Sequence, residues 1–171
     1  INGALKKEKI KKVEDAIGVV TQLKQQAETK LVEITRDQLV NPSEKAEIDK
    51  MNVDIEKAKS SAMQMLNALP DEITNKDVLR KRINDITPVT SPEVNDADGN
   101  GVLDTDQLSE ASQAVANAEQ AKTVVDNKLT EVTSDGLVTP DEKAEVDALI
   151  QALETAKQTA KEKLDSVPSS T

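Results

Sequence analysis

The chain has 171 residues and contains no Phe, Tyr, Trp, His or Cys, so its core must be aliphatic, which suits helical bundles better than β-sandwiches or deep ligand pockets. Without His or Cys, the usual nucleophile and base arrangements and the Cys/His zinc sites are excluded, and we predict that the protein is not an enzyme. The formal net charge is −10 and the basic residues are scattered along the chain, which argues against nucleic acid and anionic membranes as partners.

The later part of the chain repeats the earlier part. With an offset of 98 residues, 20 of 47 positions are identical between residues 24–70 and residues 122–168. A repeat of this period is typical of an array of similar modules. The predicted domains are a three-helix repeat at residues 1–87, a proline-containing linker at residues 88–95 and a second repeat at residues 96–171.

A long first helix is predicted over residues 5–34, because its apolar positions alternate by three and four residues. Lys24 interrupts this apolar seam, and Lys122 stands at the equivalent point of the second copy. One interpretation is a polar residue that fixes the register of the bundle. The other, which we favour, is a lysine stem packed along the seam with its ammonium in solvent. The apolar positions are Ile10, Val13, Ile17, Val20, Ala27, Leu31 and Ile34.

A second long helix is predicted over residues 42–68. Asn41 occupies the N-cap position, Pro42 the first helical position and Glu44 the third, which together form a capping box with a proline start. A short turn therefore joins two long helices, and these must run antiparallel. Residues 140–166 repeat the pattern after Thr139.

The turn of the second copy also fits a degenerate EF-hand loop. That loop would place possible ligands at alternating positions, with a glycine at position six. The first copy has Gln38 instead of this glycine, and the capping box already explains the final glutamate, so we favour the turn. The residues concerned are Glu131, Thr133, Asp135, Gly136, Thr139 and Glu142.

A shorter third helix is predicted from Asp71 to about Ile86, which closes the first bundle. The second repeat is predicted to lack this helix and so to be the more mobile of the two. The prolines at positions 88 and 92 make the following segment extended. The fold class is therefore all-α, with elongated tandem helical-bundle repeats.

The acidic junction after the linker is the strongest candidate site. It fits an EF-hand-type loop, in which short carboxylates, a backbone carbonyl and a turn glycine, here Gly101, surround a calcium ion. Position twelve is Gln107 instead of the usual bidentate glutamate, so the affinity should be weak and Asp106 or water would complete the shell. The alternative is an Asx and glycine turn that caps the next helix. The candidate ligands are Asp96, Asp98, Asn100, Val102 and Asp104, with Asp106 as an addition.

These motifs together resemble the helical GA-like repeats of giant bacterial surface adhesins of the biofilm-associated protein type. The resemblance is carried by the Asp/Asn/Gly junction at residues 96–101, the turn at residues 135–142, the Leu-Pro step at residues 69–70 and the helices around them. It implies an extracellular stalk or biofilm matrix protein at the bacterial cell surface. Its partners would be neighbouring repeats of the same chain and host or matrix proteins.

Three functions compete at this point. The first is a structural repeat of an adhesin that calcium stiffens at the junction between repeats. The second is a helical module that binds a host protein, such as albumin or another serum protein, on a helix face. The third, a carboxylate-dependent enzyme, lacks a pair of acids in environments that would separate their proton affinities. No apolar run approaches the roughly 18 residues that a membrane span needs, so no membrane insertion is expected.

Overall fold

The computed structural model describes residues 2–169, without the side chain of Asn2, and this part of the chain is all-helical. It confirms the predicted all-α class. Contacts divide the chain into two compact units, residues 1–94 and residues 95–171. The five helices of the described part are α1 (Asn2–Ile34), α2 (Pro42–Asn67), α3 (Lys76–Asp85), α4 (Asp104–Val132) and α5 (Pro140–Ser166).

The first unit begins with the antiparallel pair α1 and α2. The predicted capping box is present, since the Asn41 side chain accepts from the Glu44 backbone and Glu44 Oε2 accepts from the Asn41 backbone at 3.0 Å. Lys30 at the end of α1 lies 3.5 Å from Glu47 at the start of α2, which fits the antiparallel course. The start of α1 lies three residues before the predicted Leu5.

Helix α3 begins later than the sequence predicts. The prediction placed its start at Asp71, but residues 70–75 form turns and the helix begins at Lys76. The Lys76 ammonium donates to the Leu69 carbonyl at 3.0 Å, and the turn brings Ile73 into the core. The irregular path therefore gives the carbonyl of Leu69, just after α2, a hydrogen-bond donor, and it buries Ile73. Intrinsic helix propensity predicts neither contact.

The segment predicted as a linker lies against α2. The backbone of Val89 pairs with the side chain of Asn52 in both directions, at 2.8 and 3.0 Å, and the Val89 side chain is buried. Ser91 donates to Asp49 at 2.5 Å and accepts from Lys45 at 2.8 Å. The backbone is extended, as its prolines require, but the segment is anchored at Val89 and Ser91. Residues 88–94 belong to the first unit, and Asn95 begins the second.

The core of the first unit is aliphatic and continuous. It combines buried residues of α1, α2 and α3 with Val89 of the extended segment. Lys24 does not enter this core as a charge, because its ammonium reaches Thr87 at 3.3 Å and Glu28 at 3.9 Å. This contact favours the interpretation of a packed stem with an outward ammonium. The largest fully buried side chains are Val13, Val20, Ile48, Ile55, Leu66, Leu79 and Ile83.

The second unit is the antiparallel pair α4 and α5. Lys128 lies 2.6 Å from Glu145 near one end of the pair, and Lys163 lies 3.5 Å from Glu110 near the other. Its buried aliphatic side chains are small, and within the described residues this unit has no third helix. None of the described helices is long and apolar enough to span a membrane. The buried aliphatic residues are Ala111, Ala114, Val125, Val132, Val146 and Ala160.

Candidate metal site at the start of the second unit

The loop before α4 is shaped by two glycines in the left-handed region of backbone conformation. Gly99 has φ 69° and Gly101 has φ 83°, values that residues with a Cβ adopt only with strain. The loop closes at its base where the Asp104 backbone donates to the Asn95 carbonyl at 2.9 Å. The sharp turn that the sequence predicts at Gly101 is therefore present.

Two buried carboxylates hold the loop together. Asp96 accepts from the backbone of Asn100 and of Gly101, both at 3.0 Å. Asp104, in the first turn of α4, accepts from the backbone of Ala97 at 3.0 and 3.1 Å. These bonds fix the positions of both carboxylates at the centre of the loop.

A third carboxylate, Asp98, lies at the exposed side of the same loop. It accepts from the amide of Gln107 at 3.1 Å and from the backbone of Asn100 at 3.2 Å. The hydrogen bond from Gln107, followed by that from the Asn100 backbone, lowers the pKa of Asp98 below its ordinary value. Asp98 is therefore ionised at neutral pH.

The three carboxylates converge. Each of Asp96, Asp98 and Asp104 offers an oxygen that lies within 4.8 Å of the other two, and no other such group is found in the described residues. Three acidic oxygens this close, on alternating positions of a glycine turn, match the oxygen ligands that a hard divalent cation prefers. The donor set therefore fits calcium, and the loop brings together three of the residues that the sequence predicts as ligands.

The other predicted ligands differ in their placement. The Asn100 side chain is at the loop, where its Oδ1 accepts from the Val102 backbone at 2.8 Å and its amide donates to Asp98 at 3.0 Å. Val102 turns its side chain to the surface, which leaves its carbonyl as the group relevant to a cation. Asp106 is exposed on α4 and does not join the three carboxylates.

Gln107 is buried beside the three carboxylates, which the sequence did not predict. Its side chain is 9% exposed, and its amide nitrogen also lies 3.4 Å from the Ser166 carbonyl at the end of α5. Its carbonyl oxygen Oε1 is buried without a hydrogen-bond partner, which is costly for a polar atom. An amide oxygen is an acceptable calcium ligand, and the EF-hand numbering that makes Gln107 position twelve could have indicated it.

The loop has only some of the features of the Asx and glycine turn that was the alternative to a calcium site. The Asx-type bonds within the loop exist, as that interpretation expects. However, the N-cap of α4 is Leu103, and no side chain makes a capping bond there. Asp104 is directed back to Ala97 instead of to the helix, so helix capping does not explain why a carboxylate stands at that position.

The turn between α4 and α5 in the second copy ends in the N-terminal cap of α5. Thr139 and Glu142 form the complete capping box, with Glu142 Oε2 accepting from the Thr139 backbone at 2.8 Å. Gly136 has φ 77°, and Gln38 adopts φ 67° at the equivalent point of the first unit. The glutamate of the degenerate EF-hand pattern is thus engaged in the cap, as the favoured interpretation predicts.

Comparison with known sequences assigns the family. The GA-like domain model matches residues 10–105 and residues 108–171, which together cover most of the chain. No curated protein and no solved structure matches it. GA-like domains are helical, are not known as enzymes, and in general bind proteins such as albumin. With two matches that follow the internal repeat, this chain belongs to the GA-like domain family.

Proposed function

We propose that the chain forms structural repeats of an extracellular bacterial adhesin or biofilm-associated protein, and that calcium stiffens its junction loop. The single observation that carries the calcium part is the convergence of Asp96, Asp98 and Asp104 within 4.8 Å. The structural part is supported by the duplicated helix pairs and by the many ion pairs on the exposed faces of the helices, which suit a solvated scaffold.

The proposed calcium shell uses residues of one loop. Asp96, Asp98 and the Asn100 amide oxygen would supply side-chain oxygens, Val102 its backbone carbonyl, and Asp104 a carboxylate oxygen at position nine. Loops of extracellular modules bind calcium with dissociation constants of about 10⁻⁴ to 10⁻³ M. Such an affinity keeps the loop occupied in media that contain millimolar calcium.

Gln107 completes this shell by rotating its amide. In the structure its nitrogen faces Asp98, while its oxygen has no partner. A half-turn of the amide would present Oε1 to a cation and remove the bonds from its nitrogen to Asp98 and to the Ser166 carbonyl. Cation binding would then satisfy the unpartnered oxygen as well as the carboxylates.

Isothermal titration calorimetry with calcium on the full chain tests the site. We expect a saturable heat that disappears in Asp98→Ala and persists in Asp106→Ala, which removes an exposed carboxylate outside the group. Asp135→Ala should also leave the heat unchanged, because that residue belongs to the other turn. Heat that survives in Asp98→Ala would place the metal elsewhere, and no heat in the unaltered chain would remove calcium from the proposal.

Two substitutions at Gln107 refine the test. Gln107→Leu should weaken calcium binding by about tenfold or more, because it removes the proposed ligand oxygen. Gln107→Glu should strengthen it, because glutamate at position twelve adds a charged, bidentate ligand. Equal affinities in the two variants would show that this side chain does not contact the ion.

A second function is supported by the family itself. Since GA-like domains in general bind proteins such as albumin, the chain is a candidate host-protein binder. Pull-down from serum with the immobilised full chain separates the two functions. A spacer should recover no protein above a blank matrix, whereas a binder should recover a single protein in a stoichiometric amount.

A further inference from the structure

The side-chain amide of Gln107 lies between acceptors from two different elements. Its nitrogen is 3.1 Å from Oδ2 of Asp98 in the loop and 3.4 Å from the backbone carbonyl of Ser166, the last residue of α5. Within the part of the chain that the structure describes, its own oxygen Oε1 is buried and has no hydrogen-bond partner. The amide therefore joins the loop to the end of α5 through its nitrogen alone.

The Ser166 carbonyl belongs to the C-terminal end of a helix. The last four carbonyls of an α-helix have no partner within the helix, and they carry the negative end of its dipole. Helices α4 and α5 are antiparallel, so this end lies beside the start of α4, where Lys163 and Glu110 also lie 3.5 Å apart. An acceptor of negative potential is thus held next to the acidic loop.

The rotation of Gln107 under the proposed function, on which this inference rests, changes what surrounds that carbonyl. A half-turn of the amide puts Oε1 where the nitrogen now lies, near 3.1 Å from Asp98 and 3.4 Å from Ser166. Three oxygens would then face one another, and the Ser166 carbonyl would lose the proton that it now accepts. Such a group is stable only when positive charge lies among its oxygens.

The spacing of these oxygens fits a calcium shell. Calcium binds oxygen at about 2.3 to 2.6 Å, so neighbouring ligands in a six- or seven-coordinate shell lie about 2.7 to 3.7 Å apart. Both distances from the Gln107 amide fall within this range. Asp98 also belongs to the group of converging carboxylates. An ion that contacts Asp98 and Oε1 is therefore within reach of the Ser166 carbonyl.

We propose that the backbone carbonyl of Ser166 is a further calcium ligand, so that the ion joins the loop to the C-terminal end of α5. Backbone carbonyls are ordinary ligands of calcium. The shell would then combine loop residues with Asp104 and Gln107 of α4 and with Ser166 of α5. Because the complete shell needs both helices, calcium stabilises the contact between the start of α4 and the end of α5 as well as the loop.

Carbonyl chemical shifts test the new ligand in the unaltered full chain. The chain is labelled with ¹³C and titrated with calcium chloride, and NMR follows the backbone carbonyls of Val102, Ser166 and Ala68. Coordination withdraws electron density from a carbonyl and moves its ¹³C resonance downfield. We expect Val102 and Ser166 to move downfield with the same dissociation constant. Ala68, 98 residues before Ser166 at the end of α2, is the matched control and should not move.

The direction of the shift separates coordination from simple loss of the bond to Gln107. Loss of a hydrogen bond returns electron density to the carbonyl, so Ser166 would then move upfield. Hydrogen exchange provides a second measurement. Calcium should slow exchange of the amides in residues 163–167 by about threefold or more, because the end of α5 is then held by the ion. Asp98→Ala should abolish both the shifts and this protection.

Two results would overturn the proposal while leaving calcium in the loop. The first is a downfield shift at Val102 with an unchanged or upfield resonance at Ser166. The second is exchange in residues 163–167 that calcium leaves unchanged or makes faster while Val102 shifts. A titration that moves neither Val102 nor Ser166 would instead refute the calcium site itself, and with it this ligand.

Discussion

The two units contain the same helix pair, but only the first has a closed aliphatic core. In the first unit, α3 and the extended segment cover the seam between α1 and α2, and long side chains such as Ile55 and Leu66 are fully buried. In the second unit, α4 and α5 bury mainly alanine and valine, and Leu164 remains exposed. The repeated apolar seam is thus enough to form an antiparallel helix pair. Burial of the large side chains along that seam requires a third element that packs on the pair, as α3 does in the first unit.

The largest expected change in stability comes from substituting one of two equivalent leucines, Leu66 in the first unit and Leu164 in the second. Leu66→Ala should lower the free energy of unfolding of the first unit by about 3 kcal/mol, because it leaves a cavity in a closed core. Leu164→Ala should lower that of the second unit by less than about 1 kcal/mol, because that side chain is mostly in solvent. Hydrogen exchange of the amides of each unit measures both changes, and equal losses would contradict the difference between the cores.

The next effect concerns the anchor of the extended segment. Asn52→Ala removes both hydrogen bonds to Val89 and should cost about 2 kcal/mol, since the backbone groups of a buried residue lose their partners. Urea denaturation of the full chain measures the change. Ile150→Ala at the equivalent position of the second unit is the control, and it should cost less because Ile150 is exposed.

A smaller effect is expected at two glycines, with opposite signs. Gly136→Ala should destabilise the chain by about 1 kcal/mol, because φ 77° is strained for alanine. Gly18→Ala, inside α1 with open space around it, should stabilise it by about 0.5 to 1 kcal/mol through helix propensity. Thermal unfolding followed by circular dichroism compares the two, and a shift in the same direction would argue against the positive φ at position 136.

The smallest effect is a change in pKa. The hydrogen bond from Ser91, with a smaller contribution from the charge of Lys45, lowers the pKa of Asp49 below its ordinary value. A carboxyl with a lowered pKa in the folded state stabilises it above the ordinary pKa of about 3.9, and this contribution is lost as the pH falls through the lower folded value. Ser91→Ala should raise the pKa of Asp49 in an NMR titration, while Thr90→Ala should not change it.

The features that the sequence could predict are mostly those formed by neighbouring residues. The capping boxes at Asn41 and Thr139 were predictable because each is complete within four residues, and the long helices follow from apolar spacing. The loop carboxylates were predictable for the same reason, since their spacing lies within nine consecutive residues.

What the sequence could not predict depends on distant contacts. The start of α3 is set by the bond from Lys76 to Leu69 and by burial of Ile73. The anchoring of the extended segment joins residues 37 positions apart through Asn52. Gln107 was seen only as a missing glutamate, because its burial near Ser166 requires the packing of α5 on α4. In each of these three cases, contacts between distant residues override the local sequence pattern.

We propose that a closed scaffold unit is followed by an open one whose loop calcium stiffens. Native-state hydrogen exchange of the full chain, with and without calcium, measures both features in one experiment. We predict that without calcium the amides of α4 and α5 exchange faster than those of α1 and α2, and that calcium slows exchange in residues 95–107 while leaving the first unit unchanged. Equal protection of the two helix pairs, together with no change at the loop on adding calcium, would rule out both the difference between the units and the calcium-binding loop.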